Sequence, residues 1–338
     1  MKIYDANGWV NWQSILSEAK GILMVVGPRG TGKTYGLLKE LVKKKEPFIY
    51  LRRLKTQLDE CCKISGNPFK KINSDLGLNI IPVSSASSVV YYNSITSEGK
   101  AVIDSAPVAY GLALSTFATM RGADYSDVNY IVFDEAIASV GEKPIRDEFN
   151  AFLNLYETVN RNRELEGKAP VTAVLLGNAN KLANPYFLGW RFMRTALKMI
   201  RGKQMVYRSE DRIMIMLLNS PISEKKKSTV LYKNANNDFL QMAIDNSFKT
   251  DETNIKSRKL IEYKHIVSVG ELGIYSHKNT GELYISPVTA KPYYEGYGIY
   301  LTMFIREYSV LKIKYLAGKI TFQDYESELI FRNYFDLI

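Results

Sequence analysis

The sequence predicts an α/β fold built on a largely parallel sheet, and three observations predict it. Short apolar runs alternate with stretches of helical periodicity along the first two-thirds of the chain. One apolar run, Gly21-Ile22-Leu23-Met24-Val25-Val26, leads into Gly27-Pro28-Arg29-Gly30-Thr31-Gly32-Lys33-Thr34, and the helix-compatible stretch Tyr35 to Val42 follows. Another, Tyr130-Ile131-Val132-Phe133, ends in the acids Asp134-Glu135.

Taken in order, residues 1–20 carry Trp9 and Trp12 and are expected to form a short helix or arm near a nucleotide base. The glycine loop comes next, with every position of G-x-x-x-x-G-K-[ST] filled. Its glycines let backbone N–H groups point inward at phosphate oxygens, and the following helix N-terminus adds partial positive charge. Lys33 is placed to reach the β/γ-phosphates of ATP, and Thr34 offers its hydroxyl to Mg²⁺. Pro47 to Leu51 reads as a second buried strand, and Val89–Tyr92 with Lys100–Ile103 as a hairpin. Val108 to Phe117 reads as a further strand, followed by 130–133. Phe149, Phe152, Leu153, Tyr156 and Val159 recur at helical spacing as a core-facing stripe. Val171 to Leu176 is a strand ending at Gly177-Asn178, and Ile213 to Leu218 closes this half.

From Ser220 to Ser228 the chain turns polar and carries Lys225-Lys226-Lys227, a linker whose lysines are either solvated or grip phosphate. Beyond it, 265–269, 273–276 and 282–285 read as a β-meander with an Asn279-Thr280-Gly281 turn, and two helices over 299–317 and 321–334 end the chain. The expected organisation is therefore a nucleotide-binding domain over 1–219, a linker over 220–228 and a smaller α+β domain over 229–338.

Composition narrows the partners. The 338 residues are 46% hydrophobic and 24% charged, which suits a globular protein with a sizeable core. The formal net charge is +10, of which residues 1–222 hold +8, so an anionic partner is expected chiefly of the nucleotide-binding part. The two cysteines, Cys61 and Cys62, are adjacent, which suits reduced thiols in the cytosol. The start of the sequence is not of the signal-peptide kind, and no apolar stretch approaches the roughly 20 residues of a membrane span.

The acids after Phe133 supply the other half of the chemistry. Asp134 is the expected holder of the Mg²⁺ shell, and Glu135 the base that polarises a water for in-line attack on the γ-phosphate. Their distance of 100 residues from Thr34 leaves room for an inserted strand. That suits the phosphate-loop NTPases of the additional-strand, catalytic-glutamate class. Charge on the transition state calls for arginine, and Arg121, Arg161 and Arg163 are the candidates. Asn178 is placed to sense the γ-phosphate.

These residues reach a resemblance. The glycine loop, Phe48–Arg53 with Lys55, Ile131–Glu135, Leu153–Glu164, Asn178–Asn180, Asn184–Phe187 and Met242–Phe248 resemble the DNA-packaging ATPases of phi-29-type bacteriophages, which are terminase-like motors. The resemblance implies a homo-oligomeric ring, usually pentameric, that drives double-stranded DNA into a preformed capsid. It implies portal protein as a partner, leaves the use of a packaging RNA open, and implies no membrane and a place in the infected bacterial cytoplasm, docked transiently on the procapsid. By position Arg161 matches a trans-acting arginine finger, with Arg163 beside it. Arg121 stands where a cis-acting basic residue belongs, Lys55 matches a pore-facing one, and Lys55 and Arg53, two residues before it, are expected to bind DNA. The C-terminal part resembles a degenerate RNase H-like nuclease. Its acids Asp245, Glu271 and Glu282 are scattered, so no nuclease activity is expected. Arg191, Arg194, Lys198 and Arg201 form one stripe of a helix, either a solvated face or a DNA-backbone contact lining the ring. The alternatives are a terminase with a working metal-dependent nuclease and a scaffold that binds ATP without turnover.

Overall fold

The computed structural model describes residues 1–84, 88–97, 100–120, 124–139, 142, 145–178, 184–218, 220–226, 229–233 and 255–337. Up to the acidic strand tip the elements run α1 (Trp12–Leu16), β1 (Ile22–Val26), α2 (Lys33–Lys44), β2 (Phe48–Arg52), α3 (Lys55–Cys61), α4 (Lys70–Leu76), β3 (Ile80–Ser84), β4 (Val89–Ser97), β5 (Lys100–Ile103), β6 (Ala109–Ala113) and β7 (Tyr130–Phe133). There follow α5 (Glu148–Asn160), β8 (Thr172–Gly177), α6 (Pro185–Gly189), α7 (Met193–Arg201), β9 (Val206–Arg208), β10 (Arg212–Met216), α8 (Pro221–Lys226) and α9 (Val230–Lys233). The remainder holds β11 (Tyr263–Val269), β12 (Leu272–His277), β13 (Leu283–Ser286), β14 (Tyr293–Tyr294), α10 (Gly298–Glu307), α11 (Val310–Leu316), β15 (Ile320–Phe322) and α12 (Tyr325–Tyr334).

One compact unit gathers residues 1–145, 151–180 and 203–246 around a sheet in the order β3-β4-β6-β2-β7-β8-β1-β10-β9, with β5 paired to β4. The six strands from β6 to β10 are parallel, and both flanks are antiparallel. Parallel strands with covered faces read as unbroken apolar runs. Leu23, Val25, Val132, Val174, Leu176 and Ile215 lie in one core with Leu37, Leu38 and Leu41 of α2. In α5 the inward positions include Phe152, Leu155 and Val159, whereas Leu153, expected in the stripe, is exposed. The strand expected over 108–117 stops at Ala113, where a 3₁₀ turn begins and Ser115 donates its N–H to the Arg53 carbonyl. At the open edge, β3 turns the N–H of Ile80 to the Asn73 side chain, and the Ile80 carbonyl accepts from Asn67 and Asn73. Pro82, two residues on, has no N–H.

A second unit gathers residues 146–150, 181–202 and 247–338 around a sheet ordered β14-β11-β12-β13-β15. The expected meander is present as β11, β12 and β13, antiparallel throughout, with β14 and β15 added in parallel at its two sides. The helix expected over 299–317 is two helices, α10 and α11, and that over 321–334 is a strand followed by α12. Asp324 starts α12 by accepting the Ser327 N–H at 2.8 Å, a side-chain cap that ends the strand signal and opens the helical one. Residues 181–202, expected with the nucleotide-binding part, are grouped with this unit instead. The expected linker is ordered from Pro221 to Lys226 as α8. Among the described residues no helix is long and apolar enough to cross a membrane.

Candidate nucleotide site

The glycine loop joins β1 to α2 at the carboxyl end of the parallel strands. Gly32 holds φ +87°, a conformation glycine adopts freely, and the Trp9 ring packs so near that a Cβ would lie 3.2 Å from its Cε3. Trp12 donates its indole N–H to the Gly32 carbonyl at 3.2 Å. The N-terminal arm therefore braces the phosphate loop itself. The cavity above the loop holds about 290 Å³ and is lined by Arg29, Gly30, Lys33, Thr34, Asp134, Glu135 and Asn178, among others.

Lys33 is folded back into this loop. Its ammonium donates to the carbonyls of Gly27 (2.9 Å) and Pro28 (2.6 Å) and to Asn178 Oδ1 (3.2 Å). Burial pushes its pKa down to about 7, and the charges of Lys226 and Arg29 press the same way against the attraction of Asp134. Asn178 stands at the tip of β8, which lies between β1 and β7. β8 thus carries Asn178 to the loop.

Thr34 donates its hydroxyl to Asp134 Oδ1 at 2.6 Å, which joins the loop to the acidic strand tip. The other carboxylate oxygen accepts from Tyr50 (2.9 Å) and from Arg52 Nη1 (2.9 Å). Arg52 Nη2 reaches Glu135 Oε2 at 2.7 Å, so one guanidinium spans both acids. Glu135 holds φ +52°, a sparsely populated conformation for a side chain of this kind and a recurrent mark of functional positions. Arg52 received no role from the sequence. Its signal was its place at the end of β2, which pairs in register with β7, Leu51 opposite Phe133.

The remaining candidates separate. Arg53 is fully buried and paired with Glu142 at 2.7 Å, so it is unavailable to DNA, contrary to expectation. Lys55 opens α3 and pairs with Asp59 one turn on. Arg161 follows α5 directly with φ +47°, about half exposed and 3.5 Å from Asp124. Arg163 donates to the Ser126 carbonyl and to Asn129, which ties down its own loop. Neither Arg161 nor Arg163 lines the phosphate cavity. Arg121 lies outside the described residues.

The expected basic stripe is broken: Arg191 lies ahead of α7 in a turn with φ +57°, so only Arg194, Lys198 and Arg201 are on the helix. Arg194 is bound by Glu271, Asp324 and Ser327, and Arg191 by Glu295 and Tyr293, whereas Lys198 is exposed. Arg201 ends the helix, with its side chain outside the description. Of the scattered C-terminal acids, Glu271 faces Arg194 and Glu282 faces Arg258, and Asp245 lies outside the described residues.

A family model described as podovirus DNA encapsidation protein (Gp16) matches residues 4–301. The DNA packaging protein of Bacillus phage phi29 is 28% identical over 292 residues, covering 83% of this chain and 79% of that protein. The DNA packaging protein of Bacillus phage B103 is 26% identical over 262 residues, covering 75% and 73%. Among solved structures, the Phi-28 gp11 DNA packaging motor superposes with a TM-score of 0.64 at 21% identity, over 98% of this chain and 99% of that one. The bacteriophage Phi-29 viral genome packaging motor assembly gives 0.58 at 21% identity, over 96% of each chain. At that identity the structural likeness speaks for the fold.

Proposed function

The chain belongs to the family of podovirus DNA encapsidation proteins (Gp16), and on that premise we propose that it is an ATP-hydrolysing motor that drives double-stranded viral DNA into a preformed capsid. The observation that carries the reading is the junction of loop and strand tip: Lys33 and Thr34 on one side, Asp134 and Glu135 on the other, 2.6 Å apart where Thr34 meets Asp134. Backbone N–H groups of the loop and Lys33 bind the phosphates. Asn178, within reach of the Lys33 ammonium, senses the γ-phosphate, and Glu135 accepts the proton of the attacking water once Arg52 releases it.

The donor set fits magnesium. A threonine hydroxyl beside a carboxylate is an all-oxygen pair of the kind this hard cation takes together with substrate phosphates. Thr34 and Asp134 would hold it, and it would neutralise charge on the β- and γ-phosphate oxygens. Arg161 stands away from its own cavity and is exposed, which supports its delivery to the site of a neighbouring copy in a ring. Lys55 and Lys198 remain as cations able to meet DNA phosphate, contacts that carry no base sequence and so suit a motor that must move any DNA. The mixed sheet of the second unit, a meander with parallel strands beside it, is in keeping with an RNase H-like ancestry. Portal protein and packaging RNA are proposed partners of the assembled ring on the procapsid.

The test is ATP turnover with and without duplex DNA. Stimulation by DNA that falls steeply with added salt is expected, because phosphate contacts release counterions. Turnover indifferent to DNA at low salt would remove the translocase reading and leave an ATPase only.

A further inference from the structure

The segment that leaves the sheet after β10 doubles back over the phosphate loop. Leu217 donates its N–H to the Val26 carbonyl at 2.8 Å, and its side chain lies directly on Gly27. Pro221, the first residue of α8, packs against Gly8 of the N-terminal arm. The helix ends at Lys226, whose ammonium donates to the Arg29 carbonyl at 2.6 Å. The same nitrogen lies 2.0 Å from the place a Cβ on Gly30 would take, and Gly30 itself holds φ +68°. Two independent constraints thus keep this position bare, one from the backbone and one from a lysine supplied 196 residues later in the chain.

Arg29 and Gly30 both line the nucleotide cavity. Arg29, Lys33 and Lys226 therefore crowd one short loop, and the two acids across the cavity are already spanned by Arg52. Three basic side chains at a loop with no acid among them are poised for an anion. A neutral carbonyl is a weaker partner for an ammonium than a phosphate oxygen, whose charge-assisted bonds are roughly twice as strong. Lysine suits such a change of partner, being a point charge on a flexible stem.

We propose that Lys226 is a nucleotide-binding residue: its ammonium passes from the Arg29 carbonyl to the polyphosphate, and the helix after the sheet thereby clasps the bound nucleotide. The inference rests on the reading of the glycine loop as an ATP site. It gives one lysine of the basic run a duty distinct from solvation, and it makes the start of the connection to the C-terminal part responsive to nucleotide.

The experiment measures dissociation constants of fluorescent ATP and ADP for the full chain and for Lys226→Met, Lys226→Arg and Lys33→Ala. Methionine keeps an apolar stem of similar length and removes the charge. Lys226→Met is expected to weaken both nucleotides about tenfold, the scale of a lost hydrogen bond to a charged group, with its melting temperature unchanged when nucleotide is absent. Lys226→Arg is expected to recover most of the affinity. Binding by Lys226→Met equal to that of the unmodified chain overturns the proposal. So does a fall in its nucleotide-free melting temperature that accounts for the affinity lost, since Lys226 is then a strut for the loop. If Lys226→Met fails to fold, Lys226→Gln read in the same way decides. Should the unmodified chain bind no nucleotide, or Lys33→Ala bind as well as it does, the reading of the glycine loop fails rather than the assignment of Lys226.

Discussion

Lys33 is the residue whose chemistry can be read most directly. Its pKa is pushed down to about 7 from an ordinary 10.5. Between those values the unfolded chain holds a proton that the folded chain has released, so this group's contribution to stability rises as pH climbs from about 7 to 10.5. A bound polyphosphate reverses the preference and returns the proton. Calorimetry at pH 8 in buffers of different ionisation enthalpy should show net proton uptake on ATP binding, and affinity should weaken toward pH 9. No proton uptake at that pH would mean that Lys33 is already charged in the empty loop. Arg52 governs the other side of the cavity. With Asp134 and Glu135 both on its guanidinium, Arg52→Ala leaves two neighbouring carboxylates uncompensated, and urea unfolding should show a loss of about 3 kcal/mol, the scale for breaking a buried ion pair. The loop motif and the acidic pair were legible in the sequence because backbone geometry fixes their residue types. Arg52 was not, since its role follows from the pairing of β2 with β7, which lies in topology rather than in spacing.

At the scale of elements, periodicity located α5 but misplaced one of its inward positions. Leu153 and Leu155 are chemically alike, and only the rotation imposed by Phe152 against Phe133 decides between them: those rings stack at 5.8 Å with Leu155 buried and Leu153 exposed. Phe152→Ala should cost about 3–5 kcal/mol in chemical denaturation, and Leu153→Ala well under 1 kcal/mol. Equal effects would show that the helix presents a different face. The central strands were readable because both faces are covered and the sequence stays apolar throughout. The pieces β3, β9, β14 and β15 were not, because they stand at the margins of their sheets and lean on a single neighbour for their pairing. The split between α10 and α11 escaped because an apolar pattern continues across Tyr308 and Ser309.

At the scale of the whole molecule, the proposed ring divides the work of one catalytic event between two copies. Glu135→Gln should bind ATP and fail to turn it over, and Arg161→Ala should do the same. Mixed at equal amounts, the two variants are expected to regain partial phosphate release, because some interfaces then pair an intact glutamate with an intact arginine. No recovery on mixing would place Arg161 in its own copy's site or outside catalysis. The manner of assembly is constrained by the sheet's open edge at β3. There the outward N–H of Ile80 is spent on Asn73, its carbonyl on two asparagine amides, and Pro82 has no donor to offer. A second chain cannot zip onto that border strand by strand. Contacts made along this margin are therefore left to side chains, which can part and rejoin, and the margin is spared the irreversible stitching by which bare sheet borders seed fibres.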